Sequence, residues 1–140
     1  MKKVYAILLM LIVILGCQNS STERSKNALS IKVNDVKKIE IRNEEESYTI
    51  VNSQDKVDFI NVINNSEYNQ AQLDIRPSDY AVEIWLLNEE IIKFSLWIID
   101  GGTLFAEHSV RGYYKFTEND RLRMLEIINN AEGKPTTSSN

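Results

Sequence analysis

The sequence has little of the residues that most often carry chemistry or cross-links. It contains one cysteine, one histidine and two prolines in 140 residues. A single cysteine excludes an intramolecular disulfide framework, so packing of apolar side chains must stabilise the fold. The sequence also has no G-x-S-x-G, H-E-x-x-H or phosphate-binding glycine loop. We therefore predict no catalytic residue, no metal site and no cofactor.

Basic residues are also in short supply. The net charge is −4, and without Lys2 and Lys3 the chain has 14 basic against 20 acidic residues, a balance of −6. Binding to nucleic acid depends on cationic contacts with phosphate, so an acidic domain argues against a nucleic-acid partner. For the same reason the domain is not expected to lie flat on anionic lipid.

The most informative segment is the beginning of the chain. Lys2 and Lys3 precede an apolar run, residues 4–15, which ends at Gly16 and Cys17. Twelve residues are too few to span a hydrocarbon core, which needs about 20. A short apolar run between positive charge and a small residue is typical of a cleaved signal peptide. With the cysteine directly after it, the segment resembles the lipobox of bacterial lipoproteins.

The resemblance rests on the four residues at the predicted cleavage point. Ile14, Gly16 and Cys17 fit the lipobox pattern, whereas Leu15 is bulkier than the small residue usual at its position. The resemblance implies cleavage between Gly16 and Cys17 and attachment of lipid to the Cys17 sulfur, as a diacylglyceryl group with palmitate-type chains. The predicted location is the extracytoplasmic face of the cell membrane. The alternative is an ordinary secretory signal followed by an incidental free thiol.

The chain divides into four parts on composition. Residues 1–16 form the predicted signal peptide, and the polar segment 17–33 reads as a lipidated N-terminus and flexible tether. Residues 34–131 form a single folded domain, and the tail 132–140 is expected to be disordered. The abundance of Asn and Ile, together with the lipobox, favours a Gram-positive source.

Periodicity within the domain predicts an α+β fold. Residues 38–42 and 47–51 alternate in polarity like a hairpin, and an amphipathic helix follows from about Gln54 to Ile63, capped by Ser53. A meander of three or four antiparallel strands comes next, and Thr117 begins a capping-box-like motif before a last helix, Glu118 to Ala131. Residues 68–74 are a weaker candidate for an edge strand. We expect about 5–7 strands with two helices on one face.

The two strongest strands, residues 80–87 and 91–99, alternate regularly. One face of the pair is apolar, and the other carries Trp85 and Trp97. If Leu87 lies opposite Ile91, then Ile84 faces Phe94. In that register Trp85 is opposite Lys93.

Trp85 and Trp97 are the candidate binding residues. Aromatic side chains among polar neighbours on an uncovered sheet face can bind a protein partner or a flat ligand. The alternative is that the tether, the region of Tyr68 or another strand covers this face. The pair does not by itself specify a ligand.

Two further groups of residues are candidate sites. His108, beside Glu107, could act as an acid or base, but catalysis also requires a nucleophile or an oxyanion site in defined geometry. Glu44, Glu45 and Glu46 with Asp35 could gather a hard cation, but calcium loops alternate their ligands and include glycine. We interpret the histidine as a solvated strand end and the glutamates as a solvated turn.

The order of motifs also resembles a known family. Residues 35–41 read D-V-K-K-I-E-I, residues 48–50 read Y-T-I, and P-S-D-Y at residues 77–80 precedes a Trp-containing strand and a terminal helix. This order is similar to small uncharacterised YhfM-like lipoproteins of Bacillus and its relatives, over about residues 34–131. The resemblance implies a lipid-anchored envelope domain and carries over no catalytic residue.

The expected function is non-enzymatic binding by a membrane-anchored domain of the cell envelope. Two alternatives remain open at this point: an inhibitor or immunity-type lipoprotein that caps one protein partner, and an envelope hydrolase.

Overall fold

The structure is a computed structural model that describes residues 29–99 and 102–133. The predicted signal peptide, Gly16, Cys17, most of the tether and the tail beyond Gly133 lie outside the described residues, as do Asp100 and Gly101. Within them the strands and helices follow one another as β1 (Val36–Arg42), β2 (Ser47–Thr49), α1 (Ser53–Asn64), β3 (Glu67–Asn69), β4 (Tyr80–Leu86), β5 (Ile91–Trp97), β6 (Leu104–Glu107), β7 (Tyr113–Lys115) and α2 (Glu118–Ala131).

The seven strands of the described residues form one antiparallel sheet. Their order is β2-β1-β4-β5-β6-β7-β3, so β2 and β3 are the two edges. Both edge strands have three residues, and short edges limit unwanted pairing with another chain. With two helices added, the α+β fold class predicted from the sequence is confirmed.

The predicted register between β4 and β5 was wrong by two residues. Ile84 lies opposite Ile92 rather than Phe94, and Trp85 lies opposite Ile91 rather than Lys93. The turn sets this register, because Leu86 N–H donates to the Glu90 carbonyl at 2.9 Å. A shift of two residues keeps every side chain on the same face of the sheet, so the predicted apolar face is still correct.

Both helices begin at residues that satisfy their free backbone N–H groups. For α1 this residue is Asn52, whose side chain accepts from the N–H groups of Gln54 and Asp55, and not the predicted Ser53. Asn and Ser are equally good caps, so neighbouring candidates are hard to separate in a sequence. Thr117 caps α2 as predicted, accepting from Asp120 N–H at 3.2 Å.

The core lies between the helices and the sheet face that they cover, here called the inner face. Phe59, Ile60 and Ile63 of α1 pack there with Met124, Ile127 and Ile128 of α2. On α2, Met124 is fully buried, whereas Leu122 is 53% exposed. On the strands, Phe105 stacks on Tyr114 at 4.7 Å between ring centroids, and burial raises the pKa of Tyr114 to about 12.

An ion-pair cluster joins the two helices. Arg123 of α2 donates to Asp58 through Nε at 2.9 Å and to Asp55 at 3.1 Å, and it also pairs with Glu126. Asp55 is 7% exposed, so its charge depends on these partners. The Arg123 guanidinium also holds the pKa of Asp58 below its ordinary value.

The packed part of the chain extends into the segment that the sequence assigned to the tether. Ile31 is 8% exposed. The side-chain amide of Asn64 forms two hydrogen bonds with the backbone of Ile31. It accepts from the Ile31 N–H at 2.9 Å and donates to the Ile31 carbonyl at 2.8 Å. A 3-10 turn, Val33–Asp35, then leads into β1.

The edge strand β3 is fixed by a close approach at Gly112. This glycine has φ of 106°, and a Cβ there would lie 2.5 Å from the Asn69 carbonyl oxygen. Tyr68 donates its hydroxyl to the Arg111 carbonyl beside it. The turn at Arg111 and Gly112 therefore holds the sheet edge in place.

Candidate functional site

The sheet has a second face, here called the outer face, on which neither described helix packs. Pairing places Lys38 with Trp85 and Glu40 with Glu83 on this face. Polar and aromatic side chains dominate it. On β1, β4 and β5 the residues of this face are Lys38, Glu40, Arg42, Ala81, Glu83, Trp85, Ile91, Lys93, Ser95 and Trp97. It is the strongest candidate surface in the described part of the chain.

Trp85 is half-buried near the end of β4. The Lys38 ammonium lies 5.1 Å from the centroid of its ring, a distance at which a cation is attracted to the π face. The indole N–H is enclosed and has no hydrogen-bond partner among the described residues. Trp85 thus presents part of its ring to solvent while its polar atom is turned inward.

Trp97 is held by the connection between β3 and β4. Its indole N–H donates to the Arg76 carbonyl at 2.8 Å, and Arg76 forms a two-pronged ion pair with Asp79 at 2.6 and 2.8 Å. Asp79 also accepts from Ile98 N–H at 2.7 Å, and both contacts hold its carboxyl pKa below the ordinary value. This turn therefore covers part of the outer face near Trp97. It is none of the three covers expected from the sequence, which were the tether, the region of Tyr68 and another strand.

The two tryptophans do not form one small pocket. Trp85 lies opposite Ile91, and Trp97 is six residues further along β5, which is about 20 Å in an extended strand. A single flat ring cannot contact both side chains over that distance. A protein partner could, because a standard interface of about 800 Å² on each side is about 30 Å across.

Charged residues between the tryptophans are paired. Glu40 lies directly opposite Glu83, and like charges at such positions repel unless each has its own cation. Glu40 forms ion pairs with Lys38 at 2.6 Å and with Arg42 at 3.3 Å. Glu83 forms an ion pair with Lys93 at 3.1 Å. Hydrogen bonds from Lys38 and Ser47 lower the pKa of Glu40 to about 2, so the Glu40 carboxylate stays ionised well into acid.

His108 contacts a different residue from the one that the sequence suggested. Its Nε2 lies 2.9 Å from Ser95 Oγ on the outer face, whereas Glu107 accepts a hydrogen bond from Ser109. The contact spans thirteen residues and requires β5 to pair with β6, so local sequence carries no signal of it. His108 is exposed, as predicted for a solvated strand end.

The acidic residues do not gather into a cation site. Asp35 precedes β1, while Glu44, Glu45 and Glu46 follow its other end. The Asn43 side chain accepts from the N–H groups of Glu45 and Glu46 at 2.9 and 2.8 Å, which forms an ordinary turn. No group of three or more potential ligands suited to a metal occurs among residues 29–99 and 102–133.

A small cavity among the described residues does not supply an alternative site. It lies within the core and is lined only by apolar side chains, among them Phe59, Phe94, Phe105 and Met124. Such a cavity has no polar group to orient a ligand, and ligand sites normally provide a few. The outer face therefore remains the candidate.

Comparison with known proteins identifies a family. The model of the YhfM protein family matches residues 32–134, which covers most of the chain and all the strands and helices described above. The chain belongs to this family. No significant match was found among curated proteins or solved structures. Within the described residues, neither helix has the length and apolar character needed to cross a bilayer.

Proposed function

We infer that this protein is a lipid-anchored domain on the extracytoplasmic side of a bacterial cell membrane, and that it binds a protein partner through the outer face. The membrane part of this proposal rests on the segment Ile14 to Cys17. The lipid on Cys17 would keep the domain at the membrane, since two or more acyl chains give stable anchoring.

The contrast between the two faces of one sheet carries the binding part. The inner face is buried beneath α1 and α2, while the outer face presents half-buried aromatic rings among fixed ion pairs. Tryptophan and arginine are enriched where proteins bind other proteins. The separation of Trp85 and Trp97 favours a broad protein surface over a small molecule.

A partner that is capped and inhibited, as in immunity-type lipoproteins, is a special case of this proposal. It predicts one dominant partner whose activity falls when the domain is bound. A general scaffold predicts several partners and no inhibition. Purified partner, assayed with and without the domain, separates these two cases.

A hydrolase is the second candidate, favoured by the 2.9 Å contact between Ser95 and His108. A serine nucleophile also needs an oriented base and an oxyanion site. Among the described residues no carboxylate hydrogen-bonds to the His108 ring. Labelling by a serine-reactive phosphonate that Ser95→Ala abolishes would support this candidate over binding.

The test of the leading proposal is capture from intact membranes after chemical crosslinking. The wild type is compared with Cys17→Ala and with Trp85→Ala/Trp97→Ala, each checked for folding by circular dichroism. We expect Cys17→Ala to leave the membrane fraction, and the double tryptophan variant to stay there and lose its partner. Membrane retention of Cys17→Ala would contradict the anchor, and an unchanged crosslinked band in the tryptophan variant would contradict the outer face.

A further inference from the structure

The chain joins the folded domain at one end of the sheet. The Asn64 amide pins Ile31 five residues before β1 begins. Asp35, the residue before β1, accepts a hydrogen bond from Leu87 N–H at 2.8 Å. The turn between β4 and β5 therefore lies beside the place where the predicted tether enters the domain.

Exposed apolar side chains collect at this same end. Leu87 is 63% exposed and Val51 is 89% exposed. The N–H of Ile50 donates to the Ile39 carbonyl at 3.0 Å. Val51 is the next residue, so the pairing of β1 with β2 places Val51 beside the start of β1. Trp85 and Ile91, opposite each other on β4 and β5, are half-buried at the same end. We call Lys38, Val51, Trp85, Leu87 and Ile91 the tether-end patch.

Charge at this end differs from that of the whole domain. Three lysines and four carboxylates surround or belong to the patch, so its net charge is −1, against −6 for the chain from Cys17 onward; they are Lys32, Lys37, Lys38, Asp35, Glu40, Glu89 and Glu90. An anionic lipid surface repels this end less than any strongly acidic part of the domain. Aromatic and aliphatic side chains with a nearby lysine are the composition that membrane–water interfaces favour.

The chain length outside the structure keeps this end near the membrane. Cys17 lies fourteen residues before Ile31, and fourteen residues span at most about 50 Å. A lipid on Cys17 would therefore hold the tether-end patch closer to the bilayer on average than the opposite end, where Trp97 lies about 20 Å further along the sheet.

We propose that the tether-end patch rests on the lipid surface and orients the domain, with the Trp97 end pointing away from the membrane. This inference depends on the membrane anchoring proposed above. The lipid headgroups then border the outer face at its Trp85 end, and the face from Trp85 to Trp97 stays open to a protein partner.

The two tryptophans make the orientation measurable. The chain from Cys17 onward, which contains every described residue, is coupled through its only thiol to maleimide lipid in phosphatidylcholine–phosphatidylglycerol vesicles containing bromine-labelled acyl chains. Trp97→Phe leaves Trp85 as the only reporter, and Trp85→Phe leaves Trp97. We expect quenching by the brominated chains to be at least about threefold stronger for Trp85 than for Trp97, because only an interfacial ring comes near the acyl chains.

Two substitutions test whether the apolar patch causes the orientation. In the Trp97→Phe background, Leu87→Glu is expected to remove most of the quenching. The matched control is Leu122→Glu, which alters another exposed leucine, 53% exposed on α2, and should leave quenching unchanged. Equal quenching of both tryptophans, no quenching of either, or no effect of Leu87→Glu would each overturn the proposal.

Coupling by maleimide keeps this test separate from the proposed function. The anchor is supplied chemically, so the orientation is measured whether or not cells lipidate Cys17. Failure of the anchor appears only in cells, as membrane retention of Cys17→Ala. Failure of the orientation appears only in the vesicle quenching.

Discussion

The indole N–H of Trp97 donates to the Arg76 carbonyl at 2.8 Å, across 21 positions of the sequence. This bond ties the connection between β3 and β4 to the outer face and fixes the orientation of the ring. Trp85, at the other end of the same face, has an enclosed N–H without a partner among the described residues. The two tryptophans therefore differ in what their polar atoms contribute to stability.

Replacement of each tryptophan by phenylalanine should expose this difference. Both changes remove the same volume, but only Trp97→Phe breaks a hydrogen bond, which costs about 1 kcal/mol. Trp85→Phe removes an unsatisfied donor and should cost less. Urea denaturation of the two variants measures the difference in free energy of unfolding. Equal destabilisation would show that the Arg76 contact contributes nothing.

The loss of folding stability at acidic pH should depend on Glu40. Its pKa falls from 4.5 to about 2 in the folded protein, so its ion pairs contribute stability above pH 4.5 that is lost as the pH falls towards 2. Lys38 and Arg42 are 41% and 55% exposed, so solvent and salt screen part of this contribution. The variant Glu40→Gln removes this charge. Its free energy of unfolding should be lower than that of the wild type near neutral pH, and the two values should converge near pH 2. A constant difference across this pH range would contradict the assignment.

The cluster between the helices should be sensitive to loss of its cation. Arg123→Met leaves Asp55, 7% exposed, and Asp58 near each other without a positive partner. We expect a loss of about 2–3 kcal/mol, near the lower end for a broken buried pair because Arg123 is partly exposed. Arg42→Met is the control, since the Arg42 side chain is 55% exposed and pairs with Glu40 at the surface. Thermal or urea unfolding that ranks the two variants in the opposite order would contradict this prediction.

Gly112 should tolerate no side chain. An added Cβ meets the Asn69 oxygen at 2.5 Å, with φ at 106°, so Gly112→Ala should cost about 2 kcal/mol or more. Gly133→Ala is a matched control, because Gly133 also has positive φ, 68°, but no atom within 4 Å of the added Cβ. Hydrogen exchange at β3 should rise in Gly112→Ala. Similar costs for the two variants would mean that the close approach to β3 is unimportant.

The sequence predicted the parts of this fold that depend on local periodicity. The alternation in β4 and β5 marks both strands and their apolar face, because side chains of a strand repeat every two residues. The register failed because it depends on the turn, where Glu89 adopts a positive φ of 69° that no glycine signals. Burial on α2 could not be predicted in the same way, because Leu122 and Met124 are similarly apolar and only the fold decides that Met124 is the buried one.

The sequence predicted which face of the sheet carries Trp85 and Trp97, but it did not predict the distances and contacts within that face. Trp85 and Trp97 were correctly assigned to the side away from the helices. Their separation follows from the register, and the Arg76 and Ser95–His108 contacts join residues that only the folded chain brings together. The polar segment before β1 gave no sign that Asn64 holds Ile31, because that contact spans 33 positions.

The most direct test of the account is site-specific photocrosslinking in cells. A photoreactive amino acid replaces Ala81, an exposed residue of the outer face opposite Ser95, or Leu122, an exposed residue on the helix side. Binding through the outer face predicts a discrete crosslinked protein from position 81 that is absent from position 122 and that disappears when Cys17→Ala releases the domain from the membrane. Crosslinking from position 122 alone, or the same products from both positions, would contradict the assignment of binding to the outer face.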